Sequence, residues 1–477
     1  MGHVRGDCRD QVALFPLSLD ELIPPAHLVR VLDAFVDRLD LADLGFRHAV
    51  TKDTGRPPYD PGDLLKLYLY GYLQQIRSSR RLERECHRNV ELMWLLHQLA
   101  PDFKTIADFR KDNGPAVVSA CREFVRFCRE VGLVAGELLA IDGSKFQAAS
   151  SRRGVVLMGE LSREITRLDA HIAEYVRALD EADASSPEIQ HESEAAARRA
   201  LEALCAKRDA AEAARSALTD KKVTYEVPGE PEARLMRTGD APSSLCYNVQ
   251  QAVDSKHGLI VHHEVTTDAN DKRQLWPVAS ATQAVLDGQP IAVVADAGYA
   301  NGAQLAACEK AGITAFIPMN RNIKVRGPGD AYFGREAFPF DPVANTFSCP
   351  GGHTLRKKKL DRRSHLFIYV TRKCLSCPLK PQCTPGRQRI LSRHSEEAAF
   401  DRAAQRLREN PTMMVRRRAL AEHPFGTLKE RIFGNRRFLL RGLVGARTEM
   451  ALAVTAYNLK RVISLLTPAG ASAALQA

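Results

Sequence analysis

Apolar side chains recur at helical intervals along the first 136 residues. Leu28, Val31, Leu32, Phe35, Val36 and Leu39 mark one helix. Tyr59-Asp60-Pro61 breaks the chain, and Leu64 to Ile76 is apolar almost all round, the pattern of a central helix. A third helix is predicted through Glu83-Arg84-Glu85 to Leu96. Another follows Pro101-Asp102, through Thr105 to Arg110 and on to near Gly132. Short helices joined by short turns describe a helix-turn-helix module and a generic bundle equally well.

The pattern changes at Leu138. Leu138-Leu139-Ala140-Ile141 predicts a short buried strand that delivers Asp142. Leu161, Ile165, Leu168, Ile172, Val176 and Leu179 then advance in steps of four and three, a heptad seam. Asp183 to Pro187 turns the chain, and Ala195 to Leu218 reads as a return helix. Strands resume at Cys246–Val253 and Leu259–Val265, a hairpin by its intervening turn. A helix over Gln274–Leu286, a strand over Pro290–Ala295 ending on Asp296, a helix capped by Asn301 and stopped by Gly312, and a strand over Ile313–Ile317 complete the alternation. Residues 320–398 read as loop-rich, with one strand-like run at Leu366–Val370. From Glu396 to Leu466 the chain is predicted helical, and the tail from Pro468 to Ala477 frayed. This order fits an α/β fold, a mixed sheet with helices on both faces.

Composition narrows the function. Lys and Arg number 68 against 57 Asp and Glu, a net charge of +11, which favours a polyanionic partner. The surplus is concentrated: eight basic residues lie between Arg416 and Arg441, and eight between Arg356 and Lys373. No apolar run approaches the ~18 residues of a membrane span. Met1 to Phe15 lacks the apolar stretch of a secretory leader, so the expected location is cytoplasmic, at the nucleoid. No Gly-rich phosphate loop ending in Gly-Lys-Ser/Thr is present, and no Ser-His-Asp or Cys-His arrangement stands out.

Two predicted strands end in a carboxylate, Asp142 and Asp296. Adjacent strands lie about 4.8 Å apart, so their carboxylates can share hard divalent cations, as two-metal phosphoryl transfer requires. Asp at a strand end serves turn and capping chemistry as readily. A third ligand would come from a helix beside the sheet. Arg418, Glu422 and Lys429 stand at i, i+4 and i+11, one helical face. A carboxylate between two cations can bind metal while the cations hold phosphates; it can equally be a surface salt bridge. Pro424 kinks that helix or marks its start.

Of eleven cysteines, four cluster: Cys349-Pro350-Gly351-Gly352, then Cys374-x2-Cys377-x5-Cys383. Four thiolates from two knuckles suit a closed, structural zinc site, with His353 a weaker substitute.

At these residues the sequence resembles a known family. Ala140-Ile141-Asp142-Gly143-Ser144-Lys145-Phe146, Tyr247 to Asp254, Val294-Ala295-Asp296-Ala297-Gly298-Tyr299, Ala421 to Lys429, Ala456 to Arg461 and Ser78 to Glu83 resemble, in this order, the DDE transposases of bacterial insertion sequences. The resemblance implies an RNase H-like core in which Asp142, Asp296 and Glu422 bind Mg2+ or Mn2+, with Lys145, Arg418 and Lys429 toward DNA. A subgroup signature, Tyr-x2-Arg-x3-Glu-x6-Lys, matches Arg418, Glu422 and Lys429, but Val415 holds the Tyr position. Glu449 is the alternative third ligand.

The implied organisation is a helical DNA-binding domain at 1–136, a catalytic core at 137–156 and 221–319, a helical-hairpin insertion at 157–220, a zinc insertion at 320–398, and core helices at 399–467. The implied reaction is hydrolysis at the element's terminal inverted repeats, then attack of the freed 3′-hydroxyl on target duplex DNA, with a homodimer in synapsis. A catalytically silent DNA-binding relative, or a nuclease of the same fold that never joins, remain the alternatives.

Overall fold

The computed structural model describes residues 18–51, 54, 57–183, 191–237, 242–318, 325–327, 330–361, 366–394 and 396–476. The segment Met1 to Phe15, with Cys8, and the turn expected at 184–187 lie outside them.

The N-terminal third is helical. α1 (Leu28–Asp37) buries Val31, Leu32, Phe35 and Val36. α2 (Pro61–Leu73) is buried on nearly every face. Pro61 opens this helix and does not merely break the chain. Its missing N–H costs nothing in the first turn, and the Asp60 carboxylate caps the Gly62 N–H at 2.6 Å. The predicted helix from Glu83 to Leu96 is two helices, Ser79–Cys86 and Val90–Leu95, with Asn89 capping the second. The next is likewise two, Phe103–Asp112 and α3 (Gly114–Glu130), parted at Asn113.

Next comes the sheet. β1 (Leu138–Gln147) is longer than its apolar run, because it pairs antiparallel with a long partner as far as Gln147↔Cys246. Asp142 therefore sits in mid-strand. A two-residue ribbon, Val156–Leu157 with Tyr225–Glu226, forms the base of the helical hairpin α4 (Met158–Asp183) and α5 (His191–Asp220). β2 (Arg234–Met236), β3 (Ser244–Asp254) and β4 (Ile260–Thr266) follow. β2 and β4 share one edge of β3, and β1 takes the other. α6 (Leu275–Val285) leads to β5 (Ala292–Val294), which runs parallel to β1 with Leu138↔Ala292 and Ala140↔Val294 in register. α7 (Gly302–Lys310) leads to β6 (Thr314–Phe316), parallel to β5. The sheet order is β2-β3-β1-β5-β6.

The stretch expected to be loop-rich contains a second sheet. β7 (Phe340–Asp341), β8 (Thr346–Ser348), β9 (Thr354–Asp361), β10 (Leu366–Val370) and β11 (Ile390–His394) form an antiparallel meander. Phe338, Phe347, Leu355, Tyr369 and Leu391 make its own core. Strands of two or three residues are too short to show a period of two.

The chain then returns to the main sheet through α8 (Glu397–Glu409) and α9 (Met413–Gly426). Pro424 lies inside α9, and directly after that helix the chain widens into a π-helix over Thr427–Phe433. α10 (Gly442–Gln476) continues past Pro468, through a non-helical Thr467, to the end of the described chain. The tail is thus ordered helix, because Ala471 and Leu475 are buried. α10 packs against α1, α2, α3 and β4, and one hydrophobic core runs from Ile23 to Leu475. Among the described residues no helix is long and apolar enough to cross a membrane.

His262 on β4 is buried, and burial pushes its pKa down to about 4, with Arg122 adding to the effect. The unfolded chain takes up this proton near pH 6.5 and the native chain does not. Stability is therefore lost as pH falls from about 6.5 toward 4, by at most about 1.4 kcal/mol per pH unit for this group. Urea denaturation of His262→Gln between pH 7 and 5 should show a flatter pH dependence than wild type. An unchanged slope would refute the assignment.

Candidate active site

The parallel pairing of β1 and β5 brings Asp142 and Asp296 together. Asp296 follows β5 and caps a single turn, its Oδ1 accepting from the Gly298 N–H at 2.8 Å. Arg417, on α9, donates from Nη2 to Asp142 Oδ1 at 2.7 Å. The same nitrogen lies 3.7 Å from Asp296 Oδ2. The two carboxylates are therefore no more than 6.4 Å apart across one guanidinium. Asp142 is well buried, and burial raises its pKa to about 6 despite Arg417 and the Gly143 N–H; Asp296 adds to the rise. The buried Arg417 Nε has no hydrogen-bond partner.

Arg417, which the sequence did not single out, reaches the carboxylates, beside Arg418, expected to face DNA. Arg418 is exposed. Lys429, on the π-helix, donates from Nζ to Ser144 Oγ at 2.5 Å. Its pKa is lowered by burial first and by Arg436 next, against the attraction of Asp142. Lys145 points elsewhere, donating to the Arg237 carbonyl at 3.0 Å. Glu422 is exposed on α9, and among the described residues neither a hydrogen bond nor an ion pair joins it to Asp142 or Asp296.

Glu449 is excluded as a metal ligand by its own bonding. It is fully buried; Oε1 accepts from the Leu439 N–H at 2.7 Å and from the Leu440 N–H. Oε2 accepts from Tyr72 Oη at 3.2 Å and Arg77 Nη1 at 3.3 Å.

Sequence reasoning missed a third carboxylate beside the pair. Asp271 lies in the turn between β4 and α6. Its Oδ1 accepts from Asn248 Nδ2 at 2.8 Å and from Gln250 Nε2 at 2.6 Å. Gln250 Oε1 in turn accepts from the buried Tyr299 Oη. Burial first, and then Asp271, Asp142 and Asp296, raise the pKa of Tyr299. Asn248 and Gln250 alternate along β3, a period-two signal inside an otherwise buried strand, and that polar pair was the available clue. A Cβ at Gly143 would fall 2.4 Å from Gln250 Nε2 and 2.6 Å from Asp271 Oδ1, so the close approach requires glycine.

The four clustered cysteines meet at the end of the second sheet. Cys349, Cys374, Cys377 and Cys383 line one cavity with His353. The His353 backbone N–H donates to Cys349 Sγ at 3.3 Å. Burial, and then the other three thiols, push the Cys383 pKa up against the pull of Arg389. Among the described residues, no three or more His, Cys, Asp or Glu side chains stand in a ready metal-holding arrangement.

Comparison with known families adds two matches. Residues 17–112 match a transposase domain (DUF772), and residues 226–459 match a transposase DDE domain. The second match includes Asp271, Asp296 and Glu422 and begins after Asp142. The chain belongs to the DDE-type transposases. No curated protein matches it. A solved structure, the cryo-EM synaptic complex of piggyBac transposase with hairpin DNA, is similar at 10% identity and a TM-score of 0.29, over 94% of this chain and 79% of that one.

Glu449 and Glu422 should separate cleanly in stability. Glu449→Ala strands a buried arginine, a tyrosine and two backbone donors, and should cost about 3–5 kcal/mol in urea denaturation. Glu422→Ala, at an exposed position, should stay within about 0.5 kcal/mol. Equal losses would contradict the division.

Proposed function

We propose that this transposase cuts DNA at the ends of its element and joins the freed 3′-hydroxyl to target DNA, using the cleft between β1, β5 and α9. The observation that carries the reading is the Asp142–Arg417–Asp296 arrangement. Two carboxylates this close in a half-buried site need a cation. Their oxygens are hard donors that suit Mg2+ or Mn2+. Such ions, when bound, would activate the attacking hydroxyl and stabilise the leaving oxygen. The donor chemistry thus fits at Asp142 and Asp296. Glu422 is the proposed third ligand, brought in from the exposed face of α9.

The chain's own residues have distinct tasks. Asp142 and Asp296 hold negative charge at the reacting phosphate. Arg417 keeps Asp142 ionised near neutral pH, against the burial that favours its protonated form. Lys429 and Arg418 offer cations to flanking phosphates. Lys145, bonded to a backbone carbonyl, serves DNA only if that bond is released. The helical N-terminal third is proposed to recognise terminal inverted repeats, and the core to be RNase H-like. A homodimer would join two ends. Such a protein would work in the cytoplasm at the nucleoid.

Cleavage of labelled duplex carrying the element's own end, in Mg2+ or Mn2+, tests the reading. Asp142→Asn, Asp296→Asn and Glu422→Gln should each bind the end and lose about 100-fold or more in cutting. A Glu422→Gln variant that still cuts would remove Glu422 from the set. Wild type that binds without cutting would establish a silent DNA-binding relative. Wild type that cuts but fails strand transfer from a pre-cut end would be a nuclease.

The four thiols are proposed to close around one structural zinc ion, which would pin the small second sheet and the exposed basic run Arg356 to Lys359 on β9. Purified protein should contain about one zinc per chain by elemental analysis, and the paired change Cys374→Ser with Cys377→Ser should abolish it. Zinc-free protein with an unaltered melting profile would refute this.

A further inference from the structure

Asp142 and Asp296 share Arg417, but among the described residues Asp271 has no ion pair. Both amide donors that fix Asp271, Asn248 Nδ2 and Gln250 Nε2, converge on Oδ1. Oδ2 is left without a hydrogen bond among the described residues. An ideal Cβ at Gly298 would lie 3.9 Å from that free oxygen and 2.8 Å from Asp296 Oδ1. The two oxygens are thus no more than 6.7 Å apart.

The support behind Asp271 is built and not incidental. Asn248 and Gln250 stand two apart on β3, so they project from the same face. Gln250 is itself oriented by Tyr299, the last residue of the turn capped by Asp296. Glycines at 143 and 298 remove the two side chains that would crowd the space between the carboxylates. A carboxylate with one oxygen held by neutral amides and the other open is arranged to receive a cation. A surface acid held for stability would instead pair with an available Lys or Arg. Lys272 and Arg273 are its exposed neighbours in sequence, and neither is paired with it.

We propose that Asp271 is a further carboxylate of the divalent-cation site, contributing Oδ2 opposite Asp296. The inference rests on the reading of the cleft as the DNA-cutting centre. Asp142, Asp296 and Asp271 against Arg417 leave a deficit of two positive charges even before Glu422 is brought in, a deficit that divalent cations meet.

The test uses the full-length protein, with Asp142→Asn as a reference. Asp271→Asn retains a carbonyl oxygen for Asn248 and Gln250 and removes the open anionic oxygen. It should bind end DNA and melt as wild type does. Its Mn2+ affinity by calorimetry should fall about tenfold or more, and its cutting about 100-fold. Asp271→Cys supplies a soft thiolate in the same place. Its cutting should be lost in Mg2+ and partly restored by Mn2+ or Cd2+, a metal switch that a structural role would not produce. If Asp271→Asn fails to fold, that switch decides the matter. Asp271→Asn with wild-type Mn2+ affinity and cutting, beside an impaired Asp142→Asn, overturns the role of Asp271 alone. A Cys variant equally inactive in every metal also overturns it. If Asp142→Asn is unimpaired as well, the reading of the cleft falls with it.

Discussion

One guanidinium sets the electrostatics of this molecule. Arg417 Nη2 sits between Asp142 and Asp296, its charge set against the burial that raises the Asp142 pKa. The pairing imposes a geometric demand on elements far apart in sequence. β1 and β5 must run parallel and in register, and Arg417 of α9, 121 residues after Asp296, must lie across them. The unpartnered Arg417 Nε and the raised pKa of Asp142 mark this as a costly arrangement. Costs of that kind concentrate where chemistry is done.

α10 holds the demand in place. It touches the N-terminal helices on one side and β4 on the other, so the helical third and the sheet share one core. Glu449 fixes that junction, tying α10 to Tyr72 and Arg77 of the N-terminal third and to the backbone at Leu439 and Leu440. Asn458 adds a second tie, accepting from the Ile260 N–H and donating to its carbonyl on β4. A helical third joined so tightly to the sheet would pass strain from one directly to the other.

Much of this was legible in the chain. The strand runs before Asp142 and Asp296 are continuous apolar stretches, the pattern that strands buried on both faces leave. The helical hairpin announced itself by its heptad steps. What escaped was set by tertiary contact. Arg417 and Arg418 are indistinguishable in sequence, and only the rotation of α9 selects the first. Asp271 lies in a polar turn, Thr267 to Arg273, where an acid draws no notice. Its meaning comes from Asn248 and Gln250 across the sheet. In the second sheet β7 and β8 lacked the length to show a period, and the ordered C-terminus depended on the burial of Ala471 and Leu475.

Asp142 and Asp296 are proposed to form a seat for a divalent cation, which Arg417 occupies in part. Electron paramagnetic resonance of Mn2+ titrated into wild type, Asp142→Asn, Asp296→Asn and Arg417→Gln tests this without DNA or turnover. The account predicts that each Asn variant binds Mn2+ at least about tenfold more weakly, and that Arg417→Gln, with the competing cation removed, binds it more tightly. Equal affinity in all four proteins would contradict it.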